Sequence, residues 1–330
     1  MTTNGDATVK VVPVRHVGRW VGGAVALVFI AMLVHTLFSK VPNGVGECHT
    51  NARAGCWRFS WNVVGRYFTS SEVFHGLLVT LELTVLAMAI GIVLGVLIAI
   101  MRLSRSRLLS STAWSYTWFF RGTPVLVQLI FWFNIATLYP VITIGLPFFN
   151  VTFLHLNDNS IFTPFFAAVV ALGLNEAAYF SEIARSGLIA VDEGQTEAAT
   201  SLGMTRGQTL RLVVLPQAMR VILPPTGNEV ISMLKTTSLA SSIGVIELLG
   251  AVTNIYSATY EVIPLLVVAS IWYLIVTTIL SIGQFYLERH FAKGALRTPP
   301  PTPIQRIRQD LRGIAARVHT KRGVQVEGAS

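Results

Sequence analysis

Long apolar stretches separated by polar segments constrain this chain more than any other feature of its sequence. The clearest one covers residues 75–101 and is followed at once by three arginines. About 20 apolar residues in a helix cross the hydrocarbon core of a bilayer. Since 52% of all residues are hydrophobic and only 12% are charged, the chain is too apolar for one ordinary soluble domain. The sequence therefore predicts an all-α integral membrane protein.

About six stretches are predicted to cross the membrane. A cleaved signal peptide is the alternative for the first, but its apolar run is longer than a signal-peptide core and no clear cleavage site follows. The fifth is interrupted by Glu229, Lys235 and Glu247, which predicts a broken span. The stretches are residues 20–38, 75–101, 124–139, 162–183, 226–252 and 263–285.

The distribution of basic residues predicts the orientation. Arg102, Arg105 and Arg107 follow the second stretch and place its end in the cytoplasm. The segment between the third and fourth stretches contains no Lys or Arg, as expected outside the cell. Both termini are then cytoplasmic, in a multi-pass protein of the inner (cytoplasmic) membrane.

These boundaries divide the chain into five parts. They are a cytoplasmic tail (1–19), an additional transmembrane helix (20–38), an extracytoplasmic loop (39–74), a core (75–288) and a basic tail (289–330). The last part carries four prolines and nine lysines and arginines, so it is predicted to be disordered and attracted to anionic lipid. Although the net charge is +9, no basic face of a soluble domain suggests nucleic acid.

The two cysteines, Cys48 and Cys56, lie in the predicted extracytoplasmic loop. They form a possible disulfide there, with two free thiols as an equal alternative. A metal site is not expected, because the only nearby additional ligand is His49.

A polar interlude, residues 192–223, separates the fourth and fifth stretches. Asp192 and Gln195 have the spacing of a capping box, and Gly203 is a natural left-handed stop, which predicts a first short helix from about Glu193 to Leu202. Its small side chains suit a helix that lies in a partner's groove.

A second helix is predicted directly after the first. Thr205 and Gln208 repeat the capping spacing, so this helix starts at Arg206 and continues until Pro216 perturbs it. An ordinary amphipathic loop helix is the alternative explanation of the pair.

The interlude resembles the EAA loop of ABC-importer permeases. That pattern is EAA, three residues, Gly, nine residues, an aliphatic residue, one residue and Leu-Pro. It is matched here by Glu197, Ala198, Ala199, Gly203, Val213, Leu215 and Pro216.

The resemblance extends over about residues 74–288. The strings GLLVTLELTVLAMAIGIVLG, FRGTPVLVQL, LNEAAYFSEIARSG and LPPTGNEVISMLKTTSLASSIGVIEL look like the polar amino-acid branch, the histidine-, glutamine- and glutamate-type importers. The chain departs from the family in its first helix, longer outer loop, basic tail, Ala177 (usually Gly) and Thr236 (commonly acidic). These departures leave the identity of the amino acid open.

The resemblance implies a type I importer permease that takes up a polar amino acid and pairs with a second permease, as a homo- or heterodimer. ATP-binding ABC subunits and an extracytoplasmic substrate-binding protein are the other expected partners. The chain has no P-loop string, so ATP and Mg are expected on the ATPase and no cofactor on this chain. The coupling residues are expected to be Glu197, Ala198, Ala199, Gly203, Arg206, Leu215 and Pro216.

Polar residues inside the apolar stretches are candidates for the substrate pathway, because charges in a bilayer usually face a cavity. Two helical faces carry them, and together they would offer carboxylates and an ammonium to a zwitterion. Glu182 and Lys235 have the alternatives of snorkelling at helix ends or pairing with each other. The candidates are Asn175, Glu176, Tyr179 and Glu182 in the fourth stretch and Asn228, Ser232 and Lys235 in the fifth.

Two other function classes are considered. Ser232 and Lys235 have the Ser-x-x-Lys spacing of a nucleophile with its base, but no His-Glu-x-x-His or Gly-x-Ser-x-Gly string supports an enzyme. An ion-coupled secondary carrier would use Glu176 as its coupling carboxylate. The EAA pattern argues against the carrier, and so does the lack of a detectable internal repeat.

Overall fold

The computed structural model describes residues 17–39, 59–135, 141–146, 151–157 and 163–291. Cys48, Cys56 and the proline- and arginine-rich tail lie outside them. The helices are α1 (Val17–Phe38), α2 (Trp61–Phe68), α3 (Ser71–Arg102), α4 (Arg107–Gly122), α5 (Val125–Phe133), α6 (Pro164–Ile189), α7 (Glu193–Ser201), α8 (Arg206–Thr209), α9 (Leu215–Thr236), α10 (Leu248–Thr259) and α11 (Val262–Phe291). The strands are β1 (Val141–Leu146) and β2 (Val151–Asn157).

The core of the fold is the pairing of α3 with α6, the most extensive contact between any two helices described. Gly91 and Gly95 make this contact possible. A Cβ atom on Gly91 would lie 2.7 Å from Cβ of Glu176, and one on Gly95 would lie 3.0 Å from the carbonyl oxygen of Ala177. The Gly-x-x-x-Gly spacing of these two residues therefore lets the two helices approach each other closely.

Three of the described helices are long and apolar enough to cross a membrane: α3, α6 and α11. A fourth span results if the chain from Arg206 to Ile243 and α10 are counted as one, with a bend of 46° between them. Gly244 lies in this bend with φ of +90°, and a 3-10 segment (Thr237–Ile243) precedes it. The predicted break in the fifth stretch is confirmed, whereas the count of six remains a prediction.

The first helix, α1, is exposed along its described side chains from Val21 to Thr36, as expected of a helix surrounded by lipid. Phe38 at its end stacks on Trp61 of α2 with ring centroids 5.3 Å apart. The short helix α2 is held to α11, because Phe68 stacks on Trp272 at 4.9 Å and the Trp272 Nε1 donates to the Phe68 carbonyl at 2.9 Å.

A two-stranded antiparallel hairpin of β1 and β2, with an irregularity between Ile144 and Gly145, was not predicted. It lies in the segment without lysine or arginine between the third and fourth stretches. The membrane-spanning elements are helical, as predicted, and the hairpin is an addition within a connection.

The start of the third stretch differs from its prediction by one residue. The stretch was predicted to begin at residue 124, but Thr123 is the C-cap of α4, Pro124 is the N-cap of α5, and α5 begins at Val125. The Thr123 hydroxyl donates to the Phe119 carbonyl instead of accepting from a backbone N–H. Proline at 124 therefore separates two helices that meet at a break.

Candidate coupling loop and transport pathway

The first short helix of the polar interlude is α7, and it begins at the predicted N-cap. The Asp192 carboxylate accepts from the Gly194 N–H at 2.8 Å. The predicted capping box with Gln195 is wrong, because the Gln195 side-chain oxygen accepts from Gln217 Nε2 at 3.4 Å. Gln195 thus joins the short helix to the start of α9.

Gly203 ends α7 as predicted. Its φ of +76° lies in the left-handed region, and its N–H donates to the Thr200 carbonyl at 2.9 Å. The Met204 N–H donates to the Ala199 carbonyl at 3.1 Å. This pair of bonds is a Schellman motif, which satisfies carbonyls that the helix end leaves without partners.

The second helix, α8, starts with the predicted capping box. Gln208 Oε1 accepts from the Thr205 N–H at 2.8 Å, and Thr205 Oγ1 accepts from the Gln208 N–H at 3.4 Å. A π-helical segment (Leu210–Val214) then precedes Pro216. Since proline has no N–H and its ring crowds the carbonyl four residues earlier, the helix widens by one residue at this point and continues as α9.

The polar interlude, residues 192–223, is called the coupling loop below after its proposed role. It presents apolar side chains to its surroundings. Leu202 is 82% exposed and Leu212 is 69% exposed, whereas Ala199 is buried against the rest of the loop. Glu197 and Arg206 are exposed and form no ion pair with any residue that the structure describes. Such a surface, with leucines beside unpaired charges, suits contact with another protein.

The pathway candidate Asn175 is buried on α6, with 6% of its surface exposed. Its Nδ2 donates to the Phe120 carbonyl at 2.9 Å and to Gln128 Oε1 at 3.2 Å. Both bonds go to the break between α4 and α5. The amide nitrogen of Asn175 is therefore used within the protein.

Glu176 lies next to Asn175 and is 3% exposed. Its Oε1 is buried and has no hydrogen-bond partner among the described residues. The carboxyl group of Glu229 on α9 is near enough to repel it electrostatically. Gly91 provides the space for the Glu176 side chain, which a Cβ atom there would occupy.

Arg121, at the end of α4, lies near one of these two carboxyl groups. It interacts favourably with Glu229. Its guanidinium also lies over the ring of Tyr179, with Cζ 5.1 Å from the ring centroid, a cation–π geometry. Glu176, Glu229, Arg121 and Tyr179 are called the charged cluster below.

Glu182 does not belong to the charged cluster. It pairs with Arg185 at 2.8 Å on its own helix and with Arg102 of α3 at 3.8 Å. Its suggested pairing with Lys235 is not found within the described residues. Lys235 is exposed.

The other two candidates of the fifth stretch, Asn228 and Ser232, are also exposed on α9. Asn228 Oδ1 accepts from Gln284 Nε2 of α11 at 3.1 Å. The structure brings neither of them into contact with the α6 candidates. A common pathway between the two helical faces stays a prediction, and the hydrogen bonds of Asn175 go to the α4–α5 break.

Sequence reasoning missed Arg121, Gln128 and Glu229 as members of one polar region. Two signals were available: Arg121 stands next to a helix-breaking Gly-Thr-Pro, and Glu229 interrupts an apolar stretch. Their proximity was not readable, because it depends on how three distant segments pack.

Glu247 was noticed only as an interruption, yet it is fully buried. Its carboxylate caps α10 and ties that helix to α3 and α11. It accepts from the Gly250 N–H at 2.8 Å, the Leu249 N–H at 3.0 Å, the Tyr273 hydroxyl at 2.9 Å and the Thr80 hydroxyl at 3.3 Å.

A known family of membrane proteins matches more than half of this chain. Residues 91–293 match the family described as binding-protein-dependent transport system inner membrane component. The chain belongs to this family. The alternative of an ion-coupled carrier is thereby set aside, and the chain is the permease subunit of an amino-acid ABC importer, a multi-pass membrane protein.

Relatives include the arginine transport system permease protein ArgU of Corynebacterium glutamicum, 44% identical over 287 residues, which are 87% of this chain and 84% of that protein. The nopaline transport system permease protein NocM of Agrobacterium fabrum is 38% identical over 67% of this chain and 90% of its own length. A crystal structure of an amino acid ABC transporter with histidines superposes with a TM-score of 0.59 at 36% identity, over 69% of this chain and 98% of that one.

Proposed function

We propose that this permease imports a polar amino acid with a cationic side chain, and that ATP hydrolysis on a separate ABC subunit drives the transport. The single observation that carries the substrate class is the buried carboxyl group of Glu176, whose Oε1 has no hydrogen-bond partner among the described residues and which lies near enough to the Glu229 carboxyl group to be repelled by it. An unneutralised buried carboxylate favours a positively charged group beside it. The relative ArgU is named for arginine transport, which supports the same class.

The transport pathway in this proposal passes the charged cluster. Glu176 and Glu229 attract the cationic end of the amino acid, and Arg121 attracts its carboxylate. Tyr179 holds the guanidinium of Arg121 by its ring. Asn175, Glu182, Asn228, Ser232 and Lys235 take supporting positions along the same two helices and do not contact the substrate.

The coupling loop is proposed to receive the movement of the ATPase. Glu197, Ala198 and Ala199 on α7 would lie in a groove of that partner, and the Schellman turn at Gly203 would transmit the displacement to α8. Arg206, Leu215 and Pro216 continue the path into α9, whose start is joined to α7 through Gln217 and Gln195. A binding protein on the extracytoplasmic side and a second permease complete the transporter, in the inner membrane.

The test is uptake of labelled arginine, glutamine, glutamate and histidine in cells that lack this chain and are complemented with variants of it. We expect wild type to restore arginine uptake and Glu197→Lys to leave it abolished at an unchanged amount of protein in the membrane, because a reversed charge disturbs docking of α7. Glu193→Lys makes the same charge change on the same helix outside the motif and should retain uptake. Restoration of glutamate uptake instead of arginine would contradict the substrate class, and normal uptake with Glu197→Lys would contradict the coupling role.

A further inference from the structure

The carbonyl of Phe120 is an acceptor that its own helix cannot use. In a continuous helix it would accept from the N–H of residue 124, four positions on. Residue 124 is proline, which has no N–H. A buried carbonyl without a donor is unfavourable, so a substitute donor is required at this position.

Two side chains supply that donor from different helices. Gln128 Nε2 on α5 and Asn175 Nδ2 on α6 both donate to the Phe120 carbonyl, each at 2.9 Å. The two amides also bond to each other, since Asn175 Nδ2 donates to Gln128 Oε1 at 3.2 Å. Gln128 is 5% exposed, so water does not compete freely for its bonds.

Gln128 further fixes the residue that ends α4. Its Nε2 contacts the Thr123 hydroxyl at 2.7 Å and the Thr123 carbonyl at 3.1 Å. The carbonyls of Phe120 and Thr123, which flank Arg121 and Gly122, are thus bonded to one buried amide. Without these hydrogen bonds, Gly122 would give this short segment wide conformational freedom.

The tied segment carries Arg121, the cation of the charged cluster. Asn175 and Tyr179 are four residues apart on α6 and lie on one face of it. Asn175 binds the carbonyl just before Arg121, and Tyr179 binds the Arg121 guanidinium through its ring. One face of α6 therefore holds both the backbone and the side-chain end of this arginine.

We propose that Gln128 and Asn175 are positioning residues that hold Arg121 against Tyr179 and Glu229 through the Phe120 carbonyl. This rests on the proposed place of Arg121 in the transport pathway. Neither amide touches the substrate in this proposal. Their effect on transport passes through the orientation of Arg121.

The experiment is a double-mutant cycle on the complete transporter, reconstituted in proteoliposomes with its ATPase subunit and its binding protein. Variants are Gln128→Leu, Asn175→Ala, Arg121→Ala and the double variant with Gln128→Leu and Arg121→Ala. The quantity measured is the ratio of labelled arginine transported to ATP hydrolysed. Loss of folded protein lowers both rates together and leaves this ratio unchanged, so a merely structural role does not move it.

We expect Arg121→Ala to lower the ratio about tenfold and Gln128→Leu and Asn175→Ala to lower it about fivefold each, as for loss of one buried charged or polar contact. The double variant should match Arg121→Ala alone, because Gln128 then has nothing to position. Tyr116→Phe is the matched control, since it removes a partly buried side-chain bond between α4 and α6, from the Tyr116 hydroxyl to the Leu174 carbonyl at 2.7 Å. It should keep the wild-type ratio.

Three results would overturn the proposal, and they separate its failure from that of the pathway. A wild-type ratio with Arg121→Ala would remove Arg121 from the pathway and the positioning role with it. A lowered ratio with Arg121→Ala but a wild-type ratio with Gln128→Leu and Asn175→Ala would reject positioning alone. The positioning role would also be rejected if the double variant lowered the ratio by the product of the factors found for the two single variants. If Gln128→Leu does not assemble, Asn175→Ala is measured in the wild-type protein and in Arg121→Ala, and the same comparison tests the positioning role.

Discussion

At the scale of the residue, small side chains and unusual backbone angles decide where functional groups lie. Gly91 leaves room for the buried Glu176, and Gly203 gives the coupling helix its left-handed end. In both places a larger residue would act on a neighbour to which the proposed function gives a role in transport. A side chain at position 91 is excluded by lack of space, whereas a side chain at position 203 is disfavoured by the positive φ.

Replacement of Gly203 by alanine tests the left-handed turn. The added Cβ meets no atom within 4 Å, so the change acts only through its φ of +76°, which costs about 1 kcal/mol for a residue with a Cβ. We expect faster amide hydrogen exchange in residues 199–204 and reduced uptake. Gly207→Ala is the control, since its Cβ also meets nothing and its site is within α8; equal exchange in the two variants would contradict the prediction.

The residues of the coupling loop were largely predictable, because their signals are local. The N-cap at Asp192, the stop at Gly203 and the capping box at Thr205 depend on neighbours within a few positions. The hydrogen bond between the side chains of Gln195 and Gln217 was not predictable, since Gln217 lies 22 positions further along the chain. For the same reason the bond of Asn175 to the α4–α5 break was not foreseen.

At the scale of the element, broken helices are the recurring device of this chain. The α4–α5 break is filled by Gln128 and Asn175, and the bend before α10 is filled by Glu247. Each break leaves backbone groups without helical partners, and a buried polar group without a partner is unfavourable. Side chains from neighbouring helices therefore replace the missing partners and tie the breaks to the bundle.

The Glu247 cluster gives a prediction for stability. Glu247→Leu leaves two N–H groups and the Tyr273 hydroxyl buried without an acceptor, and we expect it to lower stability by about 3 kcal/mol. Tyr273→Phe removes one of the donors and should cost only about 1 kcal/mol. Thermal unfolding of the purified complex in detergent measures both, and equal midpoints for the two variants and wild type would refute the structural importance of the cluster.

Strand and hairpin signals were overlooked in favour of helical ones. The segment from Val141 to Asn157 contains β-branched residues on both sides of a Pro-Phe-Phe-Asn sequence, which is compatible with strands. The long apolar runs were recognised because helix length and hydropathy suffice for them. The ends of these runs were predicted less accurately, because α6 continues to Ile189, beyond the predicted end at residue 183.

At the scale of the whole molecule, the two functional regions lie along one continuous path. The coupling loop leads into α9, which carries Glu229, and α9 packs on α6, which carries Glu176. A displacement of α7 can therefore reach the charged cluster through α9 without any flexible connection between them. The family assignment came from strings spread over the core, whereas the charged cluster required the structure.

The most direct test of this transport scheme is arginine uptake in complemented cells whose ion gradients are collapsed by ionophores while ATP is maintained by fermentable substrate. An importer driven through the coupling loop should keep its uptake with wild type and lose it with Glu197→Lys under the same conditions. Loss of wild-type uptake on collapse of the gradients, at unchanged cellular ATP, would contradict ATP-driven transport by this permease.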